Sequence, residues 1–288
     1  MAEKNIQLAA CLPAAAKGVS RSINSAVLEA QIRTVPHQRT KSVAALALTF
    51  VAGFVDIAGL ITVYDVFTAH MTGTTVRLGQ HLLQHDWRQV AITGAVLGAF
   101  VLGSVIGRVI IEVGPRFAIR SIGSVTLAIE AALLAGVIFM GTHAFGFRPR
   151  SVVDVCSLLA LLAAAMGLQT ATVTRIGALT VHTTFVTGML NKLAQLLSHL
   201  LFRSYDLHAA APSRKENLQS QRSHISRQAR FLLFIWLLYL AGAFCGTWFT
   251  GRWSFESLII PCCILVAVIA VDQARPLSIE EEKDQSER

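Results

Sequence analysis

Charge is scarce in this sequence: Asp, Glu, Lys and Arg make up 15% of its 288 residues, against 53% hydrophobic residues. A soluble globule of that composition would expose more apolar surface than its polar groups could cover, so a soluble domain is the first class excluded. Cysteine is sparse too. Cys11, Cys156, Cys245, Cys262 and Cys263 form no CxxC pair, and four of the five lie inside apolar runs, which argues against a disulfide framework or a zinc site. HExxH, GxSxG and paired catalytic Asp motifs are missing and the serines are scattered, so the chain is read as a non-enzyme without a cofactor. Residues 1–42 lack an apolar stretch of the length a secretory signal needs. The formal charge is +8, yet the basic residues fall in tails and loops between long apolar runs. Their expected partner is an anionic leaflet of the lipid bilayer, not nucleic acid.

What the sequence has is apolar length. Six segments, 43–63, 90–111, 122–141, 152–174, 231–250 and 255–271, stand out, and most reach the ~20 residues needed to cross ~30 Å of hydrocarbon. Pro261, in the last of them, removes a helix hydrogen bond unless it stands in the first turn. The expected fold class is all-α, an integral membrane protein with six transmembrane helices. With the N-terminus inside, 20 of the 25 Lys and Arg residues lie on the inner side, and Arg77, Arg88, Arg148, Arg150 and Arg252 lie outside. Both termini are therefore expected in the cytoplasm.

The chain also repeats itself. Thr72-Gly73 aligns with Thr187-Gly188, Leu78 with Leu193 and Gln80 with Gln195, and Gly53 meets Gly167 once a residue is inserted. Further along, 97–108 aligns without a gap on 241–252, so that Gly98, Ala99, Phe100, Gly107 and Arg108 meet Gly242, Ala243, Phe244, Gly251 and Arg252. Each unit then holds three helices, and an odd number of crossings places its copy upside down. The expected organisation is a tail at 1–42, a membrane domain at 43–272 and a tail at 273–288. Within the domain, an inverted 3+3 repeat is formed by 43–141 and 152–271, with a mobile cytoplasmic linker at 203–230. Semi-apolar Thr-Gly segments follow helices 1 and 4. In the second, Leu190, Leu193, Leu196, Leu197, Leu200 and Leu201 recur at helical spacing opposite Asn191, Lys192, Gln195 and Ser198, which predicts an amphipathic helix.

The stretches GFVDIAGLITVYDVFTAHMTGTTVRLG and GLQTATVTRIGALTVHTTFVTGMLNKLA resemble the two signature blocks of the YoaK-like bacterial membrane proteins, a domain of unknown function. The resemblance spans about residues 43 to 272 apart from the 203–230 insertion. It implies a multi-pass protein of the bacterial inner membrane and no established activity. The chain departs from the family at Thr74, where the block commonly reads Thr-Gly-Asn; a hydroxyl replaces only part of what that amide offers.

Asp56 and Glu130 sit inside apolar spans, where an ionised carboxylate costs at least ~2.5 kcal/mol on insertion scales. They read either as proton- or cation-coupling residues or as hydrogen-bonded packing residues. Gln169 is their polar counterpart in the second unit. Thr72-Gly73 and Thr187-Gly188 read either as helix breaks whose N–H groups bind an anion or polar solute, or as turns and close helix contacts. Together Asp56, Thr72, Gly73, Glu130, Gln169, Thr187 and Gly188 form the expected substrate site, lining one cavity near the midplane. His81 and His85 would share a face if both were helical, but no third ligand accompanies them. Gly94-xxx-Gly98, Gly103-xxx-Gly107 and Gly242-xxx-Gly246 read as packing contacts. The function these features favour is transport of a small solute or ion, proton-coupled in one form, with a membrane scaffold or regulator and an intramembrane enzyme as the other classes.

Overall fold

The computed structural model describes residues 40–62, 66–117, 121–144, 151–172, 174–176, 179–181, 186–209 and 212–274. Most of both expected tails, most of the 143–151 loop and His182 lie outside the described residues. Eight helices are numbered α1 to α8 in chain order. They are α1 Thr40–Thr62, α2 Met71–Leu83, α3 Trp87–Val113, α4 Ile122–Phe139, α5 Val152–Ala171, α6 Val186–Ala209, α7 Pro212–Trp253 and α8 Ile259–Ala274. Among the described residues, five helical stretches are long and apolar enough to cross a membrane: Thr40–Thr62, Trp87–Phe117, Ile122–His143, Val152–Ala171 and Lys215–Ala274.

Local chemistry sets several boundaries. Asp86 caps α3 by accepting from the Gln89 N–H (3.2 Å). Ser151 and Asp154 close a reciprocal capping box on α5, with bonds of 2.9 and 3.1 Å. The long stretch 215–274 is interrupted at Ser254–Leu258, a 3-10 turn that Ser254 opens with φ 49°, in the left-handed region. Pro261 then falls in the first turn of α8, where no intrahelical donor is required of it. From this turn α8 runs back along α4. Phe255 fills the space beside Gly141, the Cys262 thiol lies against the Ala131 carbonyl (3.9 Å) and Asp272 reaches Ser121.

Two expectations are corrected. The fourth apolar segment does not stay helical to 174. It stops at Ala171, and an antiparallel ribbon of β1 (Thr174–Ile176) and β2 (Leu179–Val181) follows, Thr174 pairing with Val181. The β-branched run from Thr170 to Ile176 favours extended backbone once the helix ends. Residues 203–230, expected as a linker, are instead helical wherever they are described: they complete α6 and begin α7. Met189, Leu193 and Leu196 of α6 pack against Phe231, Leu232 and Ile235 of α7 and Ala45 and Leu46 of α1. The leucine periodicity thus serves packing on one side and leaves Leu197 and Leu201 exposed on the other.

The core centres on α5, in which Leu158, Leu159, Leu162, Ala163, Ala165 and Met166 are wholly buried. Neighbouring helices approach it and one another through glycine. A side chain on Gly53 would run into the Tyr239 carbonyl, one on Gly242 into that of Phe50, and one on Gly246 would meet Ile57 and the backbone of Phe54. Likewise a side chain on Gly167 would run into the Phe100 carbonyl, one on Gly103 into that of Ala164, and one on Gly107 would meet Ala171 and the backbone of Leu168. These contacts correspond residue for residue. Phe50, Gly53, Phe54 and Ile57 of α1 take the places of Ala164, Gly167, Leu168 and Ala171 of α5. Tyr239, Gly242 and Gly246 of α7 take those of Phe100, Gly103 and Gly107 of α3. Gly242 therefore answers to Gly103 and not to Gly98, which corrects the ungapped alignment by five positions. Residue numbers rise together across both pairs, so α1 runs parallel to α7 and α5 to α3. Between α1 and α5 they run oppositely: Gln169 bonds the Leu48 carbonyl, while Gly59 sits by Leu162. Gly94 and Gly98 have nothing within 4 Å of where a Cβ would stand, so their Cβ positions meet no neighbour among the described residues.

Candidate functional site

Asp56 is buried on α1, two turns beyond Leu48. One carboxylate oxygen accepts from the backbone N–H groups of Thr68 (2.9 Å) and Ala69 (2.8 Å) and from the Thr68 hydroxyl (3.3 Å). The other accepts from the Tyr239 hydroxyl of α7 (2.9 Å). Successive N–H groups turned on one oxygen are a backbone anion nest, so the carboxylate holds the 66–70 segment that leads into α2. Gly59, three residues further along α1, makes this approach feasible, because a Cβ there would lie 2.6 Å from the Thr68 methyl.

Thr72 and Gly73 stand in the first turn of α2, and Thr187 and Gly188 in the first turn of α6. Both threonines are exposed. The motif starts a helix in each copy and does not break one, so the threonines are not brought to the buried carboxylates. Thr74, the departure from the family block, is buried and donates its hydroxyl to the His70 carbonyl (3.2 Å), spending it on its own turn. His81 and His85 do not share a helical face, since α2 ends at Leu83 and His85 takes φ 57°.

Glu130 of α4 is fully buried, and neither of its carboxylate oxygens has a hydrogen-bond partner among the described residues. Gln169 of α5 is also buried. Its Nε2 donates to the Leu48 carbonyl (2.6 Å) and its Oε1 has no partner among the described residues. The Thr172 hydroxyl donates to that of Thr126 (3.2 Å), which fixes the level at which α5 meets α4. Glu130 is one turn along α4 from this bond and Gln169 three residues back along the antiparallel α5, so the two occupy one layer. Asp56 lies elsewhere: Leu48, which Gln169 touches, is eight residues before it, roughly 12 Å of helical rise. The expected cavity therefore resolves into a Glu130–Gln169 layer and a separate Asp56 cluster.

The half-buried Tyr239 and the buried Asp272 escaped the sequence reading. Tyr239 stands in the apolar run of α7, and a hydroxyl at that depth needs a partner, which is the signal that would have pointed to Asp56. Asp272, the last residue of the expected membrane domain, is buried and accepts from the hydroxyls of Ser121 (3.0 Å) and Ser124 (2.5 Å) at the start of α4. A carboxylate there complements the helix dipole.

Comparison with known proteins agrees with this all-helical membrane architecture. No solved structure matches the chain. Over 155 residues it is 29% identical to the UPF0700 transmembrane protein YoaK of Bacillus subtilis (strain 168). That alignment covers 54% of this chain and 66% of the relative, just under two thirds of its length. The family described as "Protein of unknown function (DUF1275)" matches residues 44–271, which takes in every apolar segment, and the chain belongs to this YoaK-like family of membrane proteins.

Proposed function

We propose that this chain is a small-solute or ion transporter of the bacterial inner membrane, with six crossings arranged as an inverted 3+3 repeat, 43–141 and 152–271, and both termini in the cytoplasm. The observation that carries the reading is the doubled glycine register. The operation that lays α1 on the antiparallel α5 also lays α7 on α3, so its axis runs across the helices, in the plane of a membrane they span. The first helix of each unit thereby grips the second helix of the other. Inverted units of this kind are the common frame of secondary transporters, whose solute sites lie at the interface between the units. Buried polar groups support the same reading. Gln169, on α5 in the second unit, holds the backbone of α1 in the first, and Glu130 lies at the same level without a partner. The 3-10 turn and α8 together run from Phe255 beside Gly141 to Asp272 at Ser121, back along α4, which supports reading the short final helix as a sixth crossing.

The decisive experiment reconstitutes the purified chain in liposomes and records uptake or electrogenic charge movement across a panel of small organic and inorganic solutes. Saturable, protein-dependent movement of at least one solute is expected. Leakage equal to that of empty vesicles across the panel would overturn the transport reading. Alkaline phosphatase fused after Arg288 should be inactive, and fused within 143–151 it should be active. The reverse pair would overturn the orientation.

A further inference from the structure

We propose that Glu130 and Gln169 form a binding site for a small monovalent cation in the layer where α4 and α5 meet. Both side chains are wholly inside the bundle, with 0% and 1% of their surface exposed. Among them, both Glu130 oxygens and Gln169 Oε1 have no hydrogen-bond partner among the described residues. This is not how the fold treats its other buried acids, since Asp56 accepts from Thr68, Ala69 and Tyr239, and Asp272 from Ser121 and Ser124. The Gln169 amide is also held in a defined orientation. Its nitrogen is fixed on the Leu48 carbonyl, so its oxygen points the other way as an acceptor.

The chemistry of the layer selects the ligand. With Glu130 ionised, it offers three acceptor oxygens, one negative charge and no free donor among the described residues, so an anion or a neutral acceptor gains nothing there. α4, α5 and α8 contain no Lys, Arg or His, and the buried Lys41 of α1 stands seven residues before Leu48, roughly 10 Å of helical rise from the Gln169 contact. Water alone would satisfy hydrogen bonds but leave the charge. One positive charge neutralises the carboxylate, whereas two would leave an excess charge in a medium of low dielectric. Na⁺, K⁺ and NH4⁺ share this chemistry. The transport reading enters only as the route by which such an ion reaches a buried layer.

The test uses the full chain purified in detergent and N-methylglucamine buffer. Thermal unfolding is followed while NaCl, KCl or NH4Cl replaces choline chloride at constant ionic strength, with radioactive Na⁺ binding in parallel. A saturable rise in Tm with at least one of the three cations is expected. It should be lost in Glu130→Gln, weakened in Gln169→Ala, and retained in part in Glu130→Asp. Gel filtration and helicity establish that each variant is folded; where one is not, the wild-type salt series decides alone. Equal Tm in all salts, together with an infrared band of a protonated carboxyl that disappears in Glu130→Gln, would mean that a proton occupies the layer and would overturn the proposal. Cation binding without solute flux would sink the transport reading and leave the site. Flux without cation binding would do the opposite.

Discussion

Asp56 and Glu130 are the same chemical problem, a carboxylate inside an apolar helix, met in opposite ways. At Asp56 the chain brings a non-helical segment, 66–70, against α1, and its free N–H groups supply the donors that a helix keeps for itself. At Glu130 the surrounding elements are regular helices whose N–H groups are already spent, and no hydroxyl or amide of the described residues reaches it. The difference shows what a membrane interior can provide. Donors come from places where secondary structure ends, and an acid far from such a place stays unpartnered unless something from outside joins it.

Breaking the satisfied side should have the largest effect. Asp56→Ala strands two backbone N–H groups and the Tyr239 hydroxyl, and should lower unfolding stability in detergent by on the order of 3 kcal/mol, measured by thermal or SDS titration. Closing the space that lets Thr68 approach comes next. Gly59→Leu places atoms where the Thr68 methyl now lies, and overpacking of this kind costs roughly 1–3 kcal/mol. If the variant is as stable as the parent, the 66–70 segment is not held against α1 as described. Tyr239→Phe removes one donor of several to Asp56 and should cost about 1 kcal/mol in the same assay. Glu130→Gln, which severs no hydrogen bond to any described residue, should stay within about 1 kcal/mol of the parent in choline buffer or exceed it. A loss comparable to that of Asp56→Ala would erase the contrast between the two acids.

Much of the frame was legible in the sequence. The apolar segments fall where helices lie, and Gly103, Gly107, Gly242 and Gly246, read as packing glycines, do pack. Other features were misread for identifiable reasons. The ungapped match of 97–108 to 241–252 aligned the more similar letters, but the contacts equate Gly103 with Gly242, because close backbone approach depends on where glycines fall along the shared contact and not on the flanking side chains. Gly94 and Gly98 have the same spacing as the packing pairs, yet no described residue lies within 4 Å of where their Cβ atoms would stand. The Thr-Gly pairs, read either as helix breaks or as turns and close helix contacts, prove to stand in the first turns of α2 and α6.

By itself the sequence determined that this is a helical membrane protein, because length and hydropathy are properties of single segments and survive without a partner. Only the tertiary structure decided which face of each helix turns inward. A span that is apolar all round carries no moment to orient it, so α1 finds α7, and α5 finds α3, through glycine contacts that no local periodicity encodes. For the same reason the fates of Asp56 and Glu130 could not be told apart in advance. One meets Tyr239, 183 residues away, and the other meets no donor among the described residues.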